Sequence, residues 1–293
     1  MPIIFSRKDE DYRWAVLRKQ IPAWLFQIIN LTFIAVTQNI LLLLLGLPAY
    51  EASVLQPHSP LAASDYLLAA FSLVVLLLEF TADNQQYAFH AYKHDILAKE
   101  KGDKTVAEYN PSDHWPGARL AWTKDDAHRG FITRGLWRYS RHPNCLCEQT
   151  FWVSGSLVSL KPTNRLLLQW IITLMPFITN YPPVLLHWYE LSSLCTSALQ
   201  GLFREKLITT LLSYLGHLLP ALSLSALFIS STLFTEGISS SKYPAYKAYQ
   251  KRVAMFGPSM TFITALKIKL VDGVKEEKEV ERLVWGNPYV KKE

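Results

Sequence analysis

The sequence predicts an all-α protein built into a membrane: a polytopic integral membrane helix bundle of about six transmembrane helices, with cytosolic N- and C-termini. Three observations lead there. Half of the 293 residues are apolar while only 18% are charged, a balance unlike that of an ordinary soluble domain. The apolar residues are gathered in long runs. Lys and Arg are missing from the segment between the first two runs and abundant on either side of it.

The first run, 25–47, and the last, 207–234, each exceed the ~20 residues that span a bilayer core. Runs 66–80 and 166–186 are interrupted, by Glu79 and by Pro176, Pro182 and Pro183 respectively. A weaker candidate, 146–160, carries Glu148. A lone charge in lipid costs at least ~2.5 kcal/mol, so this segment requires protein neighbours or a cavity around its acid.

The positive-inside rule orients these runs. Segment 48–65 contains no Lys or Arg and faces the lumen or exterior, while the N-terminus, residues 90–142 and the tail after 241 are basic and cytosolic. With the middle loop and the tail on one side, an even number of crossings must separate them. Segments 146–160, 166–186 and 207–234 make three, so a further one is expected. A dip of 187–203 into the membrane is preferred over a break of 207–234 at Pro220.

The N-terminal stretch FSRKDEDYRWAVLRKQ is charged throughout and lacks a small-residue cleavage site, so it does not read as a signal peptide, and the first run stays as an anchor. The expected organisation is a cytosolic segment 1–24, a transmembrane domain 25–258 with a cytosolic loop 93–129, and a cytosolic tail 259–293. The loop is polar, rich in turn residues and long enough to cover a site. KYPAYKAYQKRVAMFGP, 242–258, is bracketed by Pro244 and by Gly257-Pro258 and reads as a short amphipathic helix. Its tyrosines are expected at the headgroups, with Lys247, Lys251 and Arg252 toward lipid phosphates. The end, VKEEKEVERLVWGNPYVKKE, alternates in charge and is expected to be a solvated helix and tail.

Three cysteines, Cys145, Cys147 and Cys195, make no even disulfide framework and read as reduced thiols. The net charge of +6 follows the membrane topology rather than one soluble face, so no nucleic-acid partner is expected. Membrane lipids are the expected surroundings.

The chemistry-bearing stretch is GLWRYSRHPNCLCEQTFW, 135–152. Arg138, Arg141 and His142 bring several donors to a membrane mouth, and guanidinium forks suit phosphate. Asn144 and Glu148 lie four apart, on one face of a helix begun at Pro143, so amide and carboxylate would share a cavity. An ordinary basic anchor with a capping Asn would read the same way. Two further clusters weigh against that plain reading. Glu79 and Asp83, four apart in LEFTADNQQYAFH with Gln86 beyond, end the second run, and Glu236 in FTEGISSSKYP ends the last. Three cytosolic helix ends thus each bring a carboxylate to one level.

With these elements in order, the sequence resembles the steroid 5-alpha reductase superfamily, in particular its DUF1295 branch. GLWRYSRHPNxxxE looks like that superfamily's C-terminal motif, and ADNQQYAFH is similar to the branch's Ala-Asp-x-Gln-x-x-x-Phe-Lys element. Glu236 and KYPAYKAYQKRVAMFGP look like its closing Glu, Tyr-x-x-Tyr and Pro elements. The resemblance covers roughly residues 66–258. It implies a transmembrane helix bundle that encloses NADPH near the cytosolic face, with a lipid-like substrate entering from the bilayer, in the endoplasmic reticulum.

Carried over by position, the resemblance implies cofactor contacts for Glu79 and Asp83, and nicotinamide-half contacts for Asn144 and Glu148. Arg138, Arg141 and His142 fall where the family's basic loop meets the phosphates, and Glu236 and Tyr243 match the closing motif. Cys145 and Cys147 stand where the family has Tyr and Gly, and His90 where it has Lys. The implied reaction is hydride transfer to a conjugated C=C of a steroid-like or other lipid, with a proton delivered to the other end. Glu148 and Tyr139 are the catalytic candidates by position.

Three alternatives remain open. RHPN is shared with the isoprenylcysteine methyltransferases, which use S-adenosylmethionine; the Ala-Asp-x-Gln element favours the reductases. A non-catalytic scaffold or lipid binder is the second. The third, a di-iron desaturase, rests on His90 and His94 at HxxxH spacing, but the other six histidines form no further box, so no metal site is expected.

Overall fold

The computed structural model describes residues 12–55, 61–156 and 204–286. Among these residues every regular element is helical and no strand occurs. The expected crossings 166–186 and 187–203, and Cys195, lie outside the described residues. In chain order the helices are α1 (Tyr12–Gln20), α2 (the run Ala23–Val54), α3 (Ala63–Lys101), α4 (Lys124–Arg129), α5 (Pro143–Ser156), α6 (Arg204–Lys242), α7 (Tyr246–Arg252), α8 (Pro258–Lys267) and α9 (Val274–Trp285).

Among the described residues, three helical stretches are long and apolar enough to cross a membrane: Ala23–Val54, Ala63–Lys101 and Leu218–Lys242. They carry the runs read from the sequence at 25–47, 66–80 and 207–234. Polar side chains on the exposed α2 close on their own helix. Thr32 Oγ1 donates to the Ile28 carbonyl at 2.7 Å, and Asn39 Nδ2 to that of Ala35 at 2.9 Å. That is the arrangement a solvent without hydrogen bonds demands.

α3 runs further than the sequence pattern suggested. Its 39 residues span about 58 Å at 1.5 Å per residue, roughly twice the ~30 Å of a bilayer core. Its two halves differ accordingly. Leu67, Leu73, Val74 and Leu77 in the first half are exposed, whereas Ala88, Phe89, Lys93, Asp95 and Ala98 in the second are buried by protein. The expected loop 93–129 therefore begins as the last two turns of a helix. α6 is likewise continuous through Pro220.

α5 packs against α3 and α6, and the far end of α2, Leu47–Tyr50, meets α5. At the other end of the bundle the middle loop and the tail fold together into one cap. Its core joins Phe131 from the loop to Tyr246, Tyr249 and Val253 of the α7 region and to Ile268, Val280 and Val284. Buried Arg129 ties the two chain regions, donating from Nε to the Leu283 carbonyl at 3.2 Å and from Nη2 to that of Gly286.

The cap corrects two expectations. α7 is not an interfacial helix: Tyr246 and Tyr249 are buried against Phe131, because their spacing serves a protein core and not a headgroup layer. α9 is not solvated all round either. Val280 and Val284 share one face and are buried, while the charged residues occupy the opposite side.

Two glycines let the loop pass closely over the bundle. Gly130 has φ +88° and its Cβ position is filled by the ring of Tyr243. Gly135 has φ +65°, and a Cβ there would strike the side-chain amide of Gln85 and Leu120. Neither left-handed geometry nor contact admits a larger residue without strain.

Candidate functional site

The residues singled out from the sequence fall into three places. The first lies between α3 and α5, where Pro143 opens α5 and sets Asn144 and Glu148 on one face. Asn144 Nδ2 donates to Asp83 Oδ1 at 2.9 Å. Glu148 lies within electrostatic reach of Glu79 and Asp83. Two helices thus bring three carboxylates and an amide together, as the i, i+4 spacings predicted. Asn144 Oδ1 is buried and has no hydrogen-bond partner. Cys145 and Cys147 on the same helix are free thiols.

The second place is a buried latch. The guanidinium of Arg141 grips Glu236 with both prongs, Nε to Oε1 at 2.6 Å and Nη2 to Oε2 at 3.0 Å. Its Nη1 donates to the carbonyls of Gln250, at 3.0 Å, and Val253. His142 Nε2 lies 3.0 Å from Glu236 Oε1, and Gln250 Nε2 donates to Oε2 at 2.9 Å. The backbone reinforces this, with Arg141 N donating to the Ala254 carbonyl and His142 N to that of Met255. The structure therefore unites Arg141, His142 and Glu236 from two distant motifs, with the guanidinium directed into protein.

The third place is the outer face of the cap. Arg138 is exposed and lies 4.8 Å above the ring of Trp285, beside a cavity of about 250 Å³ bordered by Thr133, Arg134 and Gly135. Tyr139 is apart from the acid cluster: its ring faces Phe262 of α8 at 6.1 Å, and its carbonyl accepts from Thr261 Oγ1. Tyr243 is half-buried under Gly130 and against Phe131.

Gln85, Lys93 and Lys242 were not singled out from the sequence. Gln85 is buried; its Nε2 donates to the Gly117 carbonyl at 3.0 Å and its Oε1 accepts from Leu136 N at 2.9 Å. It pins the loop over α3. Its position in the ADNQ element was the available signal. Lys93 is buried, with Nζ 3.1 Å from the Gly130 carbonyl, and lies within electrostatic reach of His90 and Lys242. His90 and His94 stack at 6.2 Å, so these basic groups gather at one level of α3. Among the described residues no group of three His, Cys, Asp or Glu is placed to hold a metal ion.

The loop that carries these residues has its own anchor. Burial would raise the Asp126 carboxyl, but hydrogen bonds from Arg129, Thr123 and Arg134 outweigh it and hold the pKa below the ordinary aspartate value. The two ion pairs, to Arg129 Nη1 and Arg134 Nε, both measure 2.6 Å.

Among the described residues, fold and site define an all-helical protein with helices long and apolar enough to cross a membrane and a polar cluster between two of its helices. The chain belongs to the DUF1295 family, described as a protein of unknown function, whose profile matches residues 4–182. That match contains the Glu79–Asp83 and Asn144–Glu148 pairs and ends before Glu236. The chain is also similar to "Uncharacterized protein C594.04c" of Schizosaccharomyces pombe, with 27% identity over 256 residues. The aligned region covers 87% of this chain and 57% of that relative, so the chain spans little more than half of the relative's length. No solved structure matches.

Proposed function

We propose that the protein is a membrane-embedded, NADPH-dependent oxidoreductase of the steroid 5-alpha reductase superfamily, reducing a conjugated C=C bond of a steroid-like or other lipid substrate. One observation carries the reading. Asn144 holds Asp83 through its amide nitrogen and leaves its carbonyl oxygen buried and unpartnered, on the helix that carries Glu148 one turn further on. A buried acceptor without a donor is costly. The primary carboxamide of a nicotinamide supplies N–H donors of the kind that Asn144 Oδ1 and Glu148 lack.

The residues fit the rest of a dinucleotide. His90 lies about 10 Å of helix rise beyond Asp83 on α3, and its neighbours Lys93, His94 and Lys242 form a basic group suited to phosphate. Arg138 is the exposed guanidinium of the 135–152 motif. The Arg141, His142 and Glu236 latch holds the loop and the start of α5 in register, which fixes Asn144. When bound, the cofactor supplies hydride. In this reading Glu148, one turn beyond Asn144 on α5, would hold or deliver the accompanying proton. The exposed apolar faces of α2 and α3 leave a lipid substrate free to approach from the bilayer, and an endoplasmic reticulum location follows from that substrate class.

The RHPN run and Glu236 also suit an isoprenylcysteine-type methyltransferase, so the test is a competition. Purified full-length protein is titrated with NADPH and with S-adenosylmethionine, reading thermal stabilisation, since a ligand that binds the native state raises Tm. Saturable stabilisation by NADPH that S-adenosylmethionine does not displace is expected. Stabilisation by S-adenosylmethionine alone overturns the reductase reading, and stabilisation by neither in folded protein favours a scaffold.

A further inference from the structure

The cap carries an apolar face that no part of the described chain covers. Along α8 and the π-helical turn that continues it, Ile268–Asp272, Met260, Thr261 and Ile268 are buried against the cap, while Phe262, Ile263 and Leu266 are at least half exposed. Leu270 and Val271 are 72% and 73% exposed. At about 100° per residue, Phe262, Ile263, Leu266 and Leu270 fall within one arc opposite the buried side. Lys267 and Lys269 stand on its two margins and are exposed.

The charges around the stripe are uneven. Asp272 and Glu276 share Lys251, at 2.8 and 2.9 Å, and are turned toward α7 rather than toward Lys267 or Lys269. No acid among the described residues pairs with Lys267 or Lys269, so the stripe is bordered by uncompensated positive charge. Its height is also fixed. Thr261 Oγ1 donates to the Tyr139 carbonyl at 2.6 Å and accepts from Ala254 N at 2.9 Å. Tyr139 lies four residues before Pro143 opens α5, and the adjoining Arg141 grips Glu236 near the end of α6. α8 therefore sits where the apolar bundle gives way to the cap, with the exposed ring of Tyr139 beside Phe262.

We propose that α8 and its π-turn lie in the plane of the bilayer surface as an interfacial helix, with the stripe in the headgroup–acyl boundary and Lys267 and Lys269 on the phosphates of anionic phospholipids. An apolar arc with basic margins and an aromatic at its edge is the pattern such helices use, and long lysine stems reach the headgroups from its rim. The seat is independent of which cofactor the protein binds. Through Thr261 and Tyr139 it couples the bilayer surface to the loop that orients Asn144.

The test uses the full-length chain in nanodiscs containing anionic phospholipid and a phospholipid with a diazirine just below the glycerol. Photolabelled peptides are mapped by mass spectrometry, with α2 and α3 as internal positive controls. Adducts on Phe262, Ile263, Leu266 and Leu270 are expected, and a Lys267→Glu/Lys269→Glu variant is expected to lose that labelling severalfold while α3 labelling persists. Labelled α3 with an unlabelled stripe overturns the proposal. So does a disulfide-linked dimer formed by a Phe262→Cys variant and not by the wild type, which would assign the face to a second copy. Unchanged labelling in the double variant overturns the role given to the lysines.

Discussion

Arg141 and Glu236, 95 residues apart in the chain, form a two-pronged ion pair in the interior, with contacts of 2.6 and 3.0 Å and both side chains less than a tenth exposed. The pair clamps the RHPN loop to the end of α6, and His142 and Gln250 complete the coordination of the carboxylate. Removing one partner strands the other charge away from water. Arg141→Ala is expected to cost about 3–5 kcal/mol, read as a fall in the thermal unfolding midpoint of the detergent-purified protein. Glu236→Gln is expected to be milder because the amide keeps one acceptor. An Arg141→Ala midpoint equal to wild type would show that the latch does not hold the loop.

Gly130 is expected to tolerate no side chain. Gly130→Ala adds a left-handed strain of about 1–2 kcal/mol to a collision with the Tyr243 ring. The Tyr243→Ala background should relieve the collision and leave the strain, so G130A is expected to cost less there. Unfolding midpoints of the four proteins measure the difference, and strict additivity would contradict the close approach.

Asp126 makes stability depend on acid. Its folded pKa is lowered by Arg129, Thr123 and Arg134 against the opposing effect of burial. Its contribution is therefore fully present above the unfolded value, ~3.9, and is lost as pH falls through the lower folded value. Asp126→Asn is expected to remove that part of the acid limb and to lower stability at neutral pH. Unfolding midpoints recorded from neutral pH down to about 2 would test this, and parallel curves for wild type and variant would count against it.

Much of the apolar part was legible because lipid favours long apolar runs: 25–47, 66–80 and 207–234 all fall on helices with a stretch long and apolar enough to cross a membrane. The sharing of one face by Asn144 and Glu148, and by Glu79 and Asp83, was legible because i, i+4 spacing fixes a face before any partner is known; the bond from Asn144 to Asp83 that joins the two helices was not. The cap was not. α3 continues past Asp83 without a glycine or proline until Gly102, and a change from lipid to protein as the covering medium leaves no stop signal. Val280 and Val284 carried the i, i+4 signature of a buried face, but the charges of α9 masked it. The pairing of Arg141 with Glu236 joins residues whose sequence neighbourhoods say nothing of each other.

The acid–amide cluster yields the prediction that separates its members. Asn144→Ala removes both the bond to Asp83 and the unpartnered acceptor, and is expected to weaken NADPH binding by roughly tenfold, the equivalent of about 1.4 kcal/mol. Tyr139→Phe, on the far side of the loop, is expected to leave NADPH affinity unchanged. Fluorescence titration of both variants decides whether the site lies between α3 and α5 or on the outer cap.

The most direct test of the central claim is equilibrium binding of NADPH to the purified full-length protein and to its Glu148→Gln variant, with matched folding checked by thermal unfolding. Saturable binding by the wild type that is lost in the variant is the predicted result. Equal binding by both proteins, or none by a well-folded wild type, would contradict the assignment of this cluster as the nicotinamide site.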